Sequence, residues 1–220
     1  MDFSMYDTLL GLPLLQGLSK TELEDVLAKV RFDFSSVQDG DTFIKAGDVC
    51  DSFVFLLGGC VMSRCNSADG RLSFGELLSG PALLEPYSMF GMHPLFRKSY
   101  TASGSISILR LDKQYLYSEL YKYNICRMNL LNMLSGRIQS SENERWDIHG
   151  TTIRERIVAL MKRLSEGQQG YREIRVRMED LAEILGETRL NVSRTLNQMA
   201  DDNVISLKRG GFDIPSLELL

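Results

Sequence analysis

Residues 178–199, MEDLAEILGETRLNVSRTLNQM, are the part of this sequence whose residue types and spacing best suggest a specific chemistry. Apolar residues recur at helical spacing on both sides of Gly186, and glycine can adopt the left-handed conformation of a tight turn. Thr188 is placed to cap the second helix. The residues expected to face the core are Leu181, Ala182 and Leu185, then Val192, Leu196 and Met199. Two such helices form a helix-turn-helix, whose second helix enters the major groove of DNA.

The outward face of the second predicted helix carries side chains suited to reading DNA. Arginine pairs bidentately with guanine, at roughly 1–3 kcal/mol of discrimination per good pair, and leucine can touch a thymine methyl group. Two short apolar runs flank a basic, glycine-containing turn at 208–211, which predicts a β-hairpin wing whose cations neutralise phosphates. The residues predicted to contact DNA are Thr188, Arg189, Leu190, Asn191, Ser193, Arg194, Asn197, Lys208 and Arg209.

The elements before this segment fall into three patterns. Helical spacing over residues 6–30, with a capping box from Ser19 to Glu22, predicts short helices. From 31 to 111, strand-like runs alternate with glycine turns, of which Asp69-Gly70 is the strongest hairpin signal. From 112 to about 147 the sequence has no proline and predicts one helix of roughly 30 residues, far above the usual length.

That long helix needs a partner for its apolar stripe. The stripe could pack on its own domain or form a dimer seam like a coiled coil, and we favour the dimer. Beyond it, Thr151 or Thr152 caps a further helix, and the alternation of Tyr171–Arg177 predicts a half-buried strand. We therefore expect an α+β fold with three parts, at residues 1–111, 112–147 and 148–220.

Composition sets broad limits on the class of protein. The chain has 220 residues, 44% hydrophobic and 25% charged, with a net charge of −4, which is typical of a globular protein rather than a fibrous or disordered one. We expect no secretory signal, no membrane span and a cytoplasmic location with reduced thiols. An enzyme is not expected, because the sequence has no nucleotide-binding glycine loop and only two histidines.

The order of these elements resembles the cyclic-AMP receptor/fumarate–nitrate regulator (Crp/Fnr) family of transcription factors. The resemblance covers nearly the whole chain and is strongest over 178–212 and around Gly40, Gly47, Gly59 and Gly70. It implies an N-terminal antiparallel β-barrel of the cyclic-nucleotide-binding jelly-roll type, a long dimerisation helix and a C-terminal winged helix-turn-helix.

The resemblance also implies how such a protein works. A homodimer would place two recognition helices about 34 Å apart on a near-palindromic double-stranded DNA site. The barrel would bias the DNA domains about a hinge near 146–152. Arg189 and Arg194 take the family's base-reading positions, whereas Leu190 stands where many members have glutamate, which predicts a changed half-site. RNA polymerase is a further partner of activators in the family, although the sequence reveals no surface for it.

The effector cassette of cyclic-nucleotide-binding members matches residues 81–102 only in part. The predicted effector pocket comprises Leu84, Glu85, Arg97, Lys98 and Ser99. Leu84 replaces a glycine, which blocks the close approach of a phosphate, and Lys98 replaces an arginine, which loses the bidentate fork. We therefore predict that the effector is not cyclic AMP, and that an apolar or mixed small ligand, or none, takes its place.

Other cofactors have weaker support in the sequence. The spacing of Cys50, Cys60 and Cys65 is not that of an iron–sulfur cluster, so we expect inert thiols and no metal. His93 is the one candidate axial ligand for a haem in the cassette region. The alternative to a DNA-binding regulator is a cyclic-nucleotide-binding-like scaffold that acts on a protein partner, which would not need the basic wing.

Overall fold

The computed structural model describes residues 5–146, 150–165 and 170–216. The helices are α1 (Met5–Leu10), α2 (Lys20–Lys29), α3 (Lys113–Ser118), α4 (Asn124–Trp146), α5 (Ile153–Leu164), α6 (Met178–Leu185) and α7 (Arg189–Asp201). The strands are β1 (Asp33–Val37), β2 (Thr42–Ile44), β3 (Ser52–Asn66), β4 (Leu72–Ser79), β5 (Ala82–Leu84), β6 (Ser99–Asp112), β7 (Arg172–Val176), β8 (Ser206–Lys208) and β9 (Gly211–Ile214). Two 3-10 turns lie at Pro86–Met89 and Leu120–Lys122. The predicted α+β class is confirmed.

The chain forms two compact units. The first comprises residues 1–61 and 78–138, and the second comprises 62–77 and 139–220. The division falls within the β3–β4 hairpin, because residues 62–77 at its tip belong with the C-terminal segment.

The first unit is an antiparallel, jelly-roll-like sheet with helices packed against it. Strand β6 pairs with β1 and β2, and β5 pairs with β3. The capping box at Ser19 and Glu22 begins α2 as predicted, and the leucines of the N-terminal helices join the sheet core. At Gly59, φ is +87° and a Cβ would lie 2.9 Å from Cγ2 of Ile106, so a side chain there would be strained and would force Ile106 to shift.

The prediction of one helix from residue 112 is wrong. Helix α3 ends at Ser118, a 3-10 turn follows, and α4 begins only at Asn124 and has 23 residues. The break contains neither proline nor glycine. Leu116 and Leu120 are both fully buried, and the Tyr123 hydroxyl bonds to Asp25 on α2. Tertiary packing of these side chains therefore overrides the local helical propensity.

In the second unit, β4, β7, β9 and β8 form an antiparallel arrangement alongside α5, α6 and α7. Strand β4 pairs with β7 from Leu72↔Val176 to Glu76↔Arg172, β7 pairs with β9, and β9 pairs with β8. Phe74 and Leu72 from the hairpin tip share one buried cluster with Ile174, Leu196 and Phe212. The hairpin tip thus supplies both a strand and core side chains to the unit that carries the helix-turn-helix.

Candidate nucleic-acid interface

The turn between α6 and α7 has the geometry that the sequence predicts. Gly186 lies in the left-handed region, with φ +64° and ψ +38°. Its amide bonds back to the carbonyls of Ala182 and Glu183, and the amide of Glu187 bonds to Ala182 at 2.9 Å. No atom lies within 4 Å of a Cβ built at Gly186, so the positive φ rather than crowding accounts for the glycine.

Helix α7 has one buried and one exposed face. Thr188 caps it, because its hydroxyl accepts from the amide of Asn191 at 3.3 Å. Val192, Leu196 and Met199 are buried, as predicted. Leu190, Arg194 and Asn197 are exposed on the opposite side, and Leu190 is 67% exposed. Arg189 is exposed in the first turn of the helix.

Arg189 and Asn191, two of the predicted contact residues, each lie near a glutamate. Arg189 Nε lies 3.2 Å from a carboxylate oxygen of Glu179 on α6, with both side chains mostly exposed. An exposed pair of this kind contributes about 0–1 kcal/mol, so a phosphate or a base can displace it. Asn191 and Ser193 are half-buried, and the Asn191 amide lies 3.5 Å from Glu187.

The wing has the predicted form. Strands β8 and β9 are joined through Arg209 and Gly210, and Gly210 has φ +76°. Lys208 and Arg209 are exposed, with Lys208 Nζ 3.8 Å from Asp213. A Cβ at Gly211 would lie 1.8 Å from the carbonyl oxygen of Ile174, so glycine is required for β9 to approach β7.

Arg156 on α5 supports the turn, and sequence reasoning missed it. Its guanidinium donates to the carbonyl of Leu185 at 2.6 Å and pairs with the carboxylate of Glu187. This pairing with Arg156, followed by the bond from Asn191, lowers the pKa of Glu187 below its ordinary value. The arginine lies 31 residues before its partner, so no local pattern indicates the contact.

A buried ion pair joins the hairpin tip to β7. Arg172 Nη2 lies 2.9 Å from Oε1 of Glu76, and both side chains have no exposed surface. Arg172 Nε also lies 3.3 Å from the hydroxyl of Ser165. The alternation of Tyr171–Arg177 puts Arg172 on the same strand face as the buried Ile174 and Val176. This shared face was the one sign in the sequence that the charge of Arg172 is buried.

The predicted effector residues lie close together, but their side chains have different surroundings. Leu84 and Lys98 are buried, the Arg97 side chain is exposed, and the hydroxyl of Ser99 accepts from the amide of Ala46 at 2.9 Å. Glu85 is buried with φ +41°. Its carboxylate accepts the backbone amides of Arg97 and Lys98, both at 2.8 Å.

The cysteines and His93 do not assemble a metal centre in the described part of the chain. No group of three or more metal-ligating residues occurs among the residues described. Burial raises the pKa of Cys50 to about 12 and that of Cys126 to about 11, whereas Cys60 and Cys65 are only half-buried. His93 is exposed, and His149 lies outside the described residues. Within 5–146, 150–165 and 170–216, no helix combines the length with the apolar content that a membrane-spanning segment requires.

Comparison with known proteins identifies the class. Residues 155–220 match the Crp-like helix-turn-helix domain. Over 216 residues, the chain is 26% identical to the cyclic AMP receptor protein of Thermus thermophilus, covering 96% of this chain and 95% of that protein.

Solved structures agree on the fold. The crystal structure of Thermus thermophilus catabolite activator protein has a TM-score of 0.55 at 22% identity, covering 94% of this chain and 95% of that one. The sensor domain of the transcriptional regulator DNR from Pseudomonas aeruginosa has a TM-score of 0.51 at 19% identity, covering 67% of this chain and 99% of that one.

The turn geometry of α6 and α7, the wing and the domain match define a DNA-binding transcription regulator with a helix-turn-helix. The jelly-roll-like sheet of the first unit shares its fold with the sensor domain of DNR and with the catabolite activator protein. Residues 155–220 therefore carry a Crp-like helix-turn-helix domain, and the chain is similar over most of its length to the cyclic AMP receptor protein of Thermus thermophilus.

Proposed function

We propose that this regulator binds a near-palindromic double-stranded DNA site as a homodimer, with Arg189 and Arg194 reading base edges in the major groove. The observation that carries the proposal is the exposed surface of α7. Leu190, Arg194 and Asn197 lie opposite its buried face, and Arg189 is exposed in its first turn. Phosphates along the duplex would meet Lys208 and Arg209 on the wing.

The exposed side of α4 supports the dimer. Leu131 and Ile138 lie seven residues apart, are 55% and 64% exposed, and flank the half-buried Leu134. This spacing is that of a coiled-coil seam. A groove on the same unit, lined by Phe90, Tyr121, Arg127, Leu130, Leu131 and Leu134, gives a second helix of the same kind an apolar surface to cover.

Selection of binding sites from random duplex DNA tests the proposal. We expect inverted half-sites whose centres are about one helical turn apart, with a sequence that differs from the half-site of members with glutamate at position 190. Arg189→Ala and Arg194→Ala should each weaken binding to the selected site by about 5- to 150-fold. Arg31→Ala, which removes the same charge from the first unit, should not.

An outcome with no enriched sequence, or with equal losses for Arg31→Ala and Arg194→Ala, would contradict base reading by α7. It would favour a scaffold that acts on a protein partner.

We propose further that cyclic AMP is not the effector, although the Thermus thermophilus relative is named for it. Leu84 is packed in the core and Lys98 is buried, which supports a cassette without room for a nucleotide phosphate. Calorimetric titration with cyclic AMP and cyclic GMP should give no saturable heat, and micromolar affinity for either would overturn this part of the proposal.

A further inference from the structure

The carboxylate of Glu85 receives four hydrogen bonds within the first unit's cassette. Its Oε2 accepts from the hydroxyl of Ser88 at 2.6 Å and from the amide of Arg97 at 2.8 Å. Its Oε1 accepts from the amide of Lys98 at 2.8 Å and from the hydroxyl of Tyr100 at 3.2 Å. A carboxylate offers about four acceptor positions, and each oxygen here receives two donors.

The backbone at Glu85 is held in a conformation that its residue type rarely adopts. Its φ is +41° and its ψ is +54°, in the left-handed region. Such a conformation persists only where the surroundings over-determine it. The four hydrogen bonds to the carboxylate hold Glu85 in this conformation, because their donors lie on both sides of the cassette, at Ser88 and at residues 97–100.

The surroundings of the carboxylate form an anion site. Successive backbone amides aimed at one point, together with hydroxyl donors, are a general device for binding a carboxylate or phosphate. The ammonium group of Lys98 belongs to a side chain only 6% exposed, and Glu85 itself is 2% exposed. The donors are therefore aimed at an anion inside the protein rather than at solvent.

We propose that the carboxylate of Glu85 occupies an anion-binding site. Without that carboxylate, the same position is able to hold a small carboxylate or phosphate. The site is closed to external anions in the wild-type protein, and it becomes a binding site for them only when the carboxylate is removed. This inference does not depend on DNA binding.

Chemical rescue tests the inference. Glu85→Gly removes the carboxylate, and glycine accepts φ +41° without strain, so the loop can keep its conformation. We expect this variant to have a lower Tm, and acetate or formate at millimolar concentration to raise that Tm in a saturable way. The matched control is Glu85→Gln, which keeps the site filled by a neutral group of the same shape. It should lose stability, because its NH2 group faces a donor, and it should show no rescue.

Amide NMR locates the effect. In Glu85→Gly, acetate should shift the backbone amide resonances of Arg97 and Lys98 with the same saturation curve as the Tm. In the wild-type protein, acetate and inorganic phosphate should leave both resonances unchanged. Saturable shifts in the wild type would overturn the inference, as would an absence of rescue in folded Glu85→Gly. If Glu85→Gly does not fold, a Tm for Glu85→Gln equal to that of the wild type would also overturn it.

Discussion

At the scale of single residues, the buried pair between Glu76 and Arg172 governs the stability of the second unit. Both side chains are fully buried, 2.9 Å apart. Removing one partner leaves an uncompensated charge in the core, which typically costs about 3–5 kcal/mol, whereas replacing both by apolar residues is often nearly neutral.

We therefore predict that Glu76→Ala lowers the free energy of unfolding by about 3–5 kcal/mol, and that the double variant Glu76→Leu/Arg172→Met loses less than Glu76→Ala does. Urea denaturation followed by circular dichroism measures both. The control is Arg64→Ala, which breaks the more exposed pair with Glu173 at 2.7 Å and should cost at most about 1 kcal/mol. A double variant that loses more than Glu76→Ala would contradict the prediction.

The carboxylate of Glu187 makes the turn of the helix-turn-helix sensitive to acid. Pairing with Arg156 lowers its pKa in the folded state below the ordinary value of 4.5. Its contribution to stability is therefore fully present above pH 4.5 and is lost as the pH falls through the lower, folded value.

We predict that Glu187→Gln reduces the pH dependence of stability on this acid side. The difference in urea midpoint between the wild type and the variant should be constant from pH 7 to about 5.5 and should shrink below about pH 4.5. Parallel curves down to pH 3.5 would contradict the proposed role of the Glu187–Arg156 pair.

At the scale of elements, the β3–β4 hairpin tip is a structural part of the DNA-binding unit. Strand β4 pairs with β7 over five residue pairs, and Phe74 lies in the core of that unit with 1% exposure. The unit therefore needs side chains that precede it in the sequence by about a hundred residues, as the pairing of Phe74 with Ile174 illustrates.

We predict that Phe74→Ala destabilises the second unit by about 3–5 kcal/mol, because it leaves a cavity in that core. Hydrogen exchange should report the loss at the amides of α7 and β9. Phe34→Ala is the matched control, since Phe34 lies on β1 and is 49% exposed. Unchanged protection of α7 in Phe74→Ala would contradict a structural role for the hairpin tip.

Local elements of this fold could be predicted from sequence because their signals are local. The capping boxes at Ser19 and Thr152, the left-handed Gly186 and the apolar spacing of α7 each involve residues within one or two turns. The break before α4, the pairing of β4 with β7 and the donors around Glu85 could not be predicted. The first two depend on residues distant in the chain, and the donors around Glu85 come from a loop up to 15 residues away, so none of these contacts leaves a periodic pattern.

At the scale of the whole molecule, the proposed function requires two copies of the chain. Leu131 and Ile138 are large apolar side chains on the exposed stripe of α4, where a second helix would cover them. Leu131→Glu/Ile138→Glu should therefore convert the proposed dimer to a monomer that keeps its helical content, and should weaken specific DNA binding. Analytical ultracentrifugation measures the first effect. Met92→Glu, at another exposed apolar residue, should leave the dimer intact. A dimer unaffected by the double variant would show that α4 is not the seam.

Recognition of DNA bases by α7 is the central claim. A double-mutant cycle of binding affinities, in which one arginine and one base atom are removed singly and together, tests it most directly. The N7 atom of a guanine is an acceptor that a bidentate arginine uses, and 7-deazaguanine lacks it. The measurement is the affinity of wild type and Arg194→Ala for the selected duplex, with each guanine of a half-site replaced in turn. The account predicts that at one guanine the replacement weakens wild-type binding clearly and has no further effect on Arg194→Ala. Equal losses for both proteins at every guanine, or no loss for the wild type, would contradict it.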